Sequence, residues 1–421
     1  MNIAIFFTAS PDSGGAFQYQ LSLLNVLKKT KKHKILVLTG NKEVVVKFNK
    51  DFEIVNLSWI TNKIRFLKHH NKKIKTIDDL NIKEISKTAL KIKWGKNKRK
   101  KRISLFDKFT YKIIELYLKS KKIDLIFWPA PLSAAFKINI PYVFTVYDVE
   151  HRRVPEFPEL SAFGEYERRE HLYENGLKKA LAITTESEQG KRNIINYYNI
   201  NKEKIFPIKL LPPTYLANKV SKEMKTKVIK KYKLPKEYFY YPAQFWPHKN
   251  HILILKAISL LRKRGINVHV VFSGSDKKKW GVLRDLKEAA IRLGISDLIH
   301  YVGYVSNEEI STLYKNSKAL VMTSKLGPSN IPYLEAFKLR TPVIAMNVPG
   351  IKDQVQDAAI MVDPDNEKDL AKAMKTILTN RKKVKKLITN GEKVLERWTE
   401  EDFEKTLLKI IDYAEQRMEH R

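Results

Sequence analysis

Two rhythms of apolar residues alternate along this chain: short unbroken runs, and longer stretches in which they recur every three or four positions. A short run bounded by turn residues predicts a buried strand, and the longer repeat predicts a helix with one face on a core. Ile3–Phe7 is such a run. Turn residues follow from Ser10 to Gly15, then Phe17, Leu21, Leu24 and Leu27 repeat at helical spacing before a second run, Ile35–Leu38. This is a βαβ unit. Further strands are predicted at Ile123–Trp128, Tyr142–Tyr147 and Leu181–Thr184, with amphipathic helical segments around Phe163–Leu177 and Glu188–Tyr198. Unbroken apolar strands alternating with helices imply a parallel sheet covered on both faces.

The prolines of Leu211-Pro212-Pro213 make a stiff connector, after which a second α/β series begins. Strands are predicted at Phe239–Pro242, Val268–Phe272, Ile299–Val302 and Ala319–Thr323. Helices are predicted at Ile252–Arg264 and Leu283–Leu293, stopped by Gly265 and Gly294. The expected architecture is α/β, with two facing Rossmann-like domains, 1–212 and 213–400, and a last helix over 401–421 that packs back on the first domain. The polar, weakly periodic stretch from about 61 to 122 is expected to be a basic, helix-bearing insertion. Ligands of such sheets bind beyond the carboxyl ends of the strands, so two facing domains create one cleft.

Composition supports a globular chain and adds a question of charge. The 421 residues are 43% hydrophobic, with 15 Gly, 17 Pro and no Cys, which excludes disulfides and thiolate metal sites. A chain of this length buries roughly three quarters of its unfolded surface. The first residues have no basic leader before their apolar run, and no apolar stretch is long enough to span a membrane, so a cytoplasmic protein is expected. Against 45 acidic residues stand 80 basic ones, a net charge of +35. From Lys91 to Arg102, eight of twelve residues are basic and none is acidic. Such a run suits an anionic membrane surface, placing the protein at the inner face of a membrane, although a lysine-rich coding bias also produces it. Nucleic acid is disfavoured, because no zinc-finger, basic-zipper or RNP-type pattern occurs and a single Trp lies within the run.

Four segments could carry chemistry. In Thr323–Ile344 (TSKLGPSNIPYLEAFKLRTPVI) a strand ends, a small-polar loop follows, and Pro332 opens a helix. N–H groups at Asn330 and Ile331 and the positive helix end suit a diphosphate, with Glu335 one turn on to accept ribose hydroxyls. In Tyr240–His251 (YYPAQFWPHKNH), Lys249 is the natural counter-charge for phosphate. Gly14-Gly15, after the first strand, permits close approach of backbone to a ligand without forming a G-x-G-x-x-G. The segment Tyr147–Arg153 (YDVEHRR) places titratable groups at the expected cleft. No spacing of His, Asp and Glu resembles a metal site.

With YDVEHRRVPEFPE, ITTESEQGKRNI and GPSNIPYLEAFKLRTPVIAMNVPG in this order, the chain resembles the retaining, nucleotide-sugar-dependent glycosyltransferases of family 4, with the GT-B fold. That resemblance implies transfer of a sugar from a nucleoside diphosphate sugar to a glycan or lipid-linked acceptor, in a setting such as bacterial surface polysaccharide assembly, without a divalent metal or other cofactor. Carried over to this sequence, Glu335 holds the ribose, and the backbone of Ser329, Asn330 and Ile331 holds the phosphates. Lys249 and Gln244 face the diphosphate, Gly14 and Gly15 line its first-domain side, and Tyr304 lies beside the base. Asp148 matches the Asp of the family's His-Asp pair. Three positions depart from the pattern: Gly327 stands where the family has an acidic residue, Gln244 where it has Arg, and Tyr147 where it has His. His151 is the substitute expected to contact the transferred sugar, and catalysis is expected to rest on Asp148, His151 and Lys249. A sugar-nucleotide epimerase or a nucleotide-sugar-binding pseudo-enzyme on the same frame is the alternative.

Overall fold

The computed structural model describes residues 1–11, 14–30, 32–56, 103–216, 220–276, 279–327 and 329–419. The basic run Lys91–Arg102, most of the expected insertion and Pro328 lie outside them. Thirteen strands among the described residues form two sheets, and every strand pair is parallel.

In the first sheet the strands are β1 (Asn2–Phe7), β2 (Lys34–Thr39), β3 (Glu53–Asn56), β4 (Leu125–Trp128), β5 (Tyr142–Val146), β6 (Ala182–Thr185) and β7 (Ile205–Pro207). Their spatial order is β3-β2-β1-β4-β5-β6-β7. The second sheet holds β8 (Tyr238–Pro242), β9 (His269–Ser273), β10 (Ile299–Gly303), β11 (Ala319–Met322), β12 (Val343–Met346) and β13 (Ala359–Val362), in the order β10-β9-β8-β11-β12-β13. Both sheets therefore wind outward in two directions from a central pair, β1 with β4 and β8 with β11. A crevice opens at the carboxyl ends of such a pair, because the connections leave it on opposite faces. The architecture is two doubly wound, Rossmann-like sheets, as the alternation of runs predicts, and it has the two-domain GT-B form that the resemblance implies.

Alternating side chains of β1 serve two cores. Ile3, Ile5 and Phe7 pack with the helix Gly15–Leu27, while Ala4 and Phe6 face the side covered by the helices Ile103–Ser120 and Glu165–Lys179. The last helix, Glu400–Glu419, crosses to the first domain and buries Phe403, Leu407, Ile410, Ile411 and Ala414 in the same core as Ile3 and Leu24. The Nε1–H of Trp398 donates to the Lys209 carbonyl at 3.0 Å where the chain crosses. Ile331 and Leu334 of the second domain also join this core, so one apolar layer runs beneath the crevice from domain to domain.

The short strands β3, β7, β12 and β13 add to the series read from the sequence. The helix predicted at Phe163–Leu177 starts at Glu165, because Phe163 and Gly164 both adopt positive φ (58° and 76°) and end the preceding turn instead. Among the described residues no helix is long and apolar enough to cross a membrane.

Candidate active site

Each wall of the crevice is built by loops that leave the central strands. In the second domain the loop after β8 carries Gln244 to Asn250, and the loop after β11 carries Thr323 to Asn330. Gly274 lets the first of these lie across the end of β9, since a Cβ there would stand 2.1 Å from the Ala243 carbonyl oxygen. The two loops are stitched together by backbone. The Lys249 carbonyl accepts from the hydroxyls of Tyr241 (2.9 Å) and Thr323 (3.0 Å), and the Lys325 N–H donates to the His248 carbonyl (2.9 Å). Lys249 is thereby fixed at the mouth of the crevice with its Nζ 3.4 Å from Ser324 Oγ. Burial disfavours the ammonium and brings it down to about 8, a cation poorly compensated by protein.

Carboxylates dominate the facing wall. Asp148, after β5, accepts from Arg169 Nη1 at 2.9 Å and from the Glu150 N–H at 3.0 Å, while Glu150 is held by Arg153. The Tyr147 hydroxyl points back into its own domain, donating to the Pro129 carbonyl at 2.6 Å and accepting from Gln20 Nε2 at 3.2 Å. Two carboxyl groups span the crevice. Glu159, on the short helix Pro158–Ser161, accepts from the His248 N–H at 2.9 Å and from the same residue's Nδ1–H. Glu186, directly after β6, is hydrogen-bonded to Ser329 Oγ; burial pushes its carboxyl up to about 7. These residues enclose a cavity of about 270 Å³, with Asp148, Glu159 and Glu186 on one side and Lys249, Gly327 and Ser329 on the other. Among the described residues no group of three or more His, Asp or Glu is gathered as a metal ion requires.

A cation held beside a helix start, between two doubly wound sheets, is a place for an anionic ligand. Residues 224–394 match the family described as glycosyl transferases group 1. The second domain belongs to that family. O-antigen chain mannosyltransferase RfbU of Salmonella typhimurium is 28% identical over 206 residues, 49% of this chain and 53% of that protein. O-antigen chain mannosyltransferase B of Escherichia coli is 28% identical over 226 residues, 53% of this chain and 58% of that protein. The matched region thus spans little more than half the length of these curated relatives. The solved structure of HepE from Anabaena, in complex with UDP and glucose, covers 98% of this chain and 99% of its own at a TM-score of 0.68 and 14% identity, a likeness of fold.

Within this group 1 domain and its partner, the residues singled out from the sequence do not all share one place. Asp148, Lys249, Ser329 and Asn330 line the cavity together. Gly15 meets the start of the helix Ile331–Lys338 across the crevice: a Cβ on it would lie 3.7 Å from Ile331 Cγ1, and Gly14 caps its own helix beside it. Gln244 is engaged locally, accepting from Trp246 Nε1 at 2.7 Å.

The remaining residues have protein partners of their own or stand outside this cavity. The Asn330 N–H is not free for a phosphate, because Gln354 Oε1 accepts it at 2.8 Å and Gln354 Nε2 donates back to the Asn330 carbonyl at 2.9 Å. Glu335 does not project into the cavity. It is buried, and its carboxylate accepts from the hydroxyls of Tyr215 and Tyr314, while burial raises its pKa. Tyr304 is exposed beyond β10, within electrostatic reach of Tyr215, and lines no part of the cavity. His151 is turned into the first domain, fully buried, with Nε2 2.7 Å from Glu170 Oε1 and its ring between Tyr166 and Tyr173. It packs the short helix Glu150–Arg153 onto the helix Glu165–Lys179 and does not reach a sugar in the crevice.

Sequence reading overlooked Glu159, Glu186 and His248. Glu186 carried a usable signal as the first residue beyond a parallel strand. The pairing of Glu159 with His248 joins residues 89 positions apart, and no local pattern foretells it.

Proposed function

We propose that the protein is a glycosyltransferase that moves a sugar from a nucleoside diphosphate sugar to a glycan or lipid-linked acceptor, with retention of configuration, in bacterial surface polysaccharide assembly. The observation that carries this reading is the position of Lys249. Its ammonium stands with Ser324 and Ser329 at a crevice between two doubly wound sheets, and protein groups compensate it poorly. A diphosphate leaving group supplies the missing anion. The O-antigen mannosyltransferase relatives favour a glycan acceptor, and the two named structural features, crevice and fold, suit a donor bound to the second domain.

In this reading the ribose hydroxyls take the place of the Tyr215 hydroxyl on Glu335, which puts the base near Tyr304 and the diphosphate at Lys249. As the bond from sugar to phosphate breaks, negative charge grows on the phosphate, and Lys249 with the Ile331–Lys338 helix start stabilises it. The departing phosphate oxygen accepts the acceptor hydroxyl's proton on the face it leaves, which retains the configuration. Asp148, held by Arg169 and the Glu150 N–H, orients the sugar from the opposite wall. Domain contacts such as Glu159 with His248 exclude water from the bond being broken. An anionic membrane, attracted to the run Lys91–Arg102, presents a lipid-linked acceptor to the first domain.

The test is calorimetric titration of metal-free protein with UDP, GDP, ADP and CMP, repeated with Glu335→Ala and Lys249→Ala. Saturable binding of one nucleotide, weakened by both substitutions, is expected. Binding of none of them, or affinity untouched by either change, overturns the reading.

A further inference from the structure

Glu159 is the cavity's least settled carboxylate. Its residue is 6% exposed, yet only one of its oxygens is engaged: Oε1 accepts both donors of His248, while Oε2 is buried without a hydrogen-bond partner among the described residues. Burial works against its charge, but the two hydrogen bonds from His248 carry the carboxyl below the ordinary Glu range, so it is ionised at neutral pH. Native proteins rarely leave a buried carboxylate oxygen unpaired, and where they do a ligand commonly completes it.

The neighbours say what kind of ligand group fits. A carboxylate repels phosphate and accepts from a hydroxyl, forming one of the stronger hydrogen bonds available to a sugar. Phosphate has its own counter-charge on the opposite wall in Lys249. Asp148 and Glu150 face arginines, and Glu186 is turned to Ser329. The second domain cannot supply an acidic side chain at Gly327. That residue has φ +107°, and a Cβ on it would stand 2.9 Å from Asn330 Nδ2, so this part of the wall is bare backbone.

We propose that the free carboxylate oxygen of Glu159 accepts a hydroxyl of the sugar carried by the donor, so that sugar recognition comes from the first domain while the nucleotide is held by the second. The assignment rests on the glycosyltransferase reading above. Because Oε1 of the same carboxylate clamps His248, next to Lys249, sugar recognition and closure of the crevice are joined in one side chain. Glu159 is a specificity-determining residue.

The experiment compares nucleoside diphosphates with their sugar conjugates on the whole chain: UDP with UDP-glucose, GDP with GDP-mannose, ADP with ADP-glucose. Glu159→Gln preserves an oxygen for His248 and turns the free acceptor into an N–H donor. The variant is expected to bind the preferred nucleoside diphosphate within about threefold of wild type and its sugar conjugate about 10- to 100-fold more weakly. Deoxy-sugar donors sharpen this: the analogue lacking the contacted hydroxyl loses affinity about tenfold for wild type and little for Glu159→Gln. His248→Ala removes the clamp and keeps the carboxylate, and it is expected to shift both ligands together. The proposal is overturned if Glu159→Gln weakens nucleotide and conjugate in parallel, as a mere clamp would, or changes neither. If wild type binds no nucleotide and no conjugate, the glycosyltransferase reading itself falls, and the role of Glu159 with it.

Discussion

The two walls of the crevice are made of different materials. Among the described residues the second-domain wall has no carboxylate: Lys249 is its cation, beside Trp246, His248, Ser329 and Asn330, and Gly327 adds bare backbone at a φ of +107° that strains any side chain. The first-domain wall is side chains, chiefly carboxylates, each tied to a different neighbour: Asp148 to Arg169, Glu150 to Arg153, Glu159 to His248, Glu186 to Ser329. Backbone and a fixed cation suit a ligand part common to every donor, the diphosphate. Carboxylates suit hydroxyls, whose number and orientation change from one sugar to the next.

The largest expected effect comes from taking the cation out of the second wall. Lys249→Ala removes the charge proposed to face a departing diphosphate, and loss of one such donor costs about 3 kcal/mol in a transition state. Turnover is expected to fall about 10²- to 10³-fold with the fold intact, measured as initial rates beside a thermal melt. A fall confined to KM would move Lys249 from charge stabilisation to simple binding.

Next is the bare stretch of that wall. Gly327→Ala forces a side chain onto a backbone at φ +107° and against Asn330 Nδ2, a cost of about 1–3 kcal/mol. The expected result in denaturant is a lower midpoint with an unchanged slope. An unaltered midpoint would mean that the loop relaxes and that the wall is not rigid.

How far the sequence could anticipate these walls follows from the range of the forces that shape them. Strands such as Ile3–Phe7 and Tyr238–Pro242 are buried on both faces, so their apolar runs announce them. β3 is an edge strand with exposed Glu53 and Asn56 and announces little. Lys249 and Ser329 were legible because each follows a parallel strand. Glu335 was legible as a residue but not in its orientation, since the hydroxyl of Tyr215, 120 positions away, decides what its carboxylate meets. His151 misled because it stands among five charged or titratable neighbours in YDVEHRR that look alike in sequence, and only its packing against Tyr166 and Tyr173 turns it away from the crevice.

Tyr215 offers a smaller effect of the opposite sign. Its hydroxyl occupies Glu335, where the proposed ribose binds, so Tyr215→Phe removes a competitor while Tyr314 still holds the carboxylate. A net hydrogen bond is worth about 1 kcal/mol, which predicts roughly fivefold tighter binding of the preferred nucleoside diphosphate by calorimetry. Weaker binding would show that Tyr215 stays in place and contacts the nucleotide directly.

The smallest effect tests the first wall through pH. Burial, and to a lesser degree the charge of Asp148, raises Glu186 to about 7, so its carboxyl is largely neutral at pH 6 and ionised at pH 8. A carboxylate appearing beside Ser329 repels a diphosphate bound there. Affinity for a sugar nucleotide, whose diphosphate does not titrate in this window, is therefore expected to fall a fewfold between pH 6 and pH 8. Glu186→Gln retains an acceptor for Ser329 and cannot ionise, so it should flatten that fall. A further loss above pH 8 should survive in the variant, because Lys249, lowered to about 8 by burial, gives up its charge there. Stability runs in the same direction for Glu186: its native form holds a proton that the unfolded chain releases above the ordinary Glu value, so wild type loses stability relative to Glu186→Gln as pH rises toward 7. A pH profile identical in wild type and variant would take Glu186 out of the donor's reach and leave the proton-sensitive part of the crevice on the second wall alone.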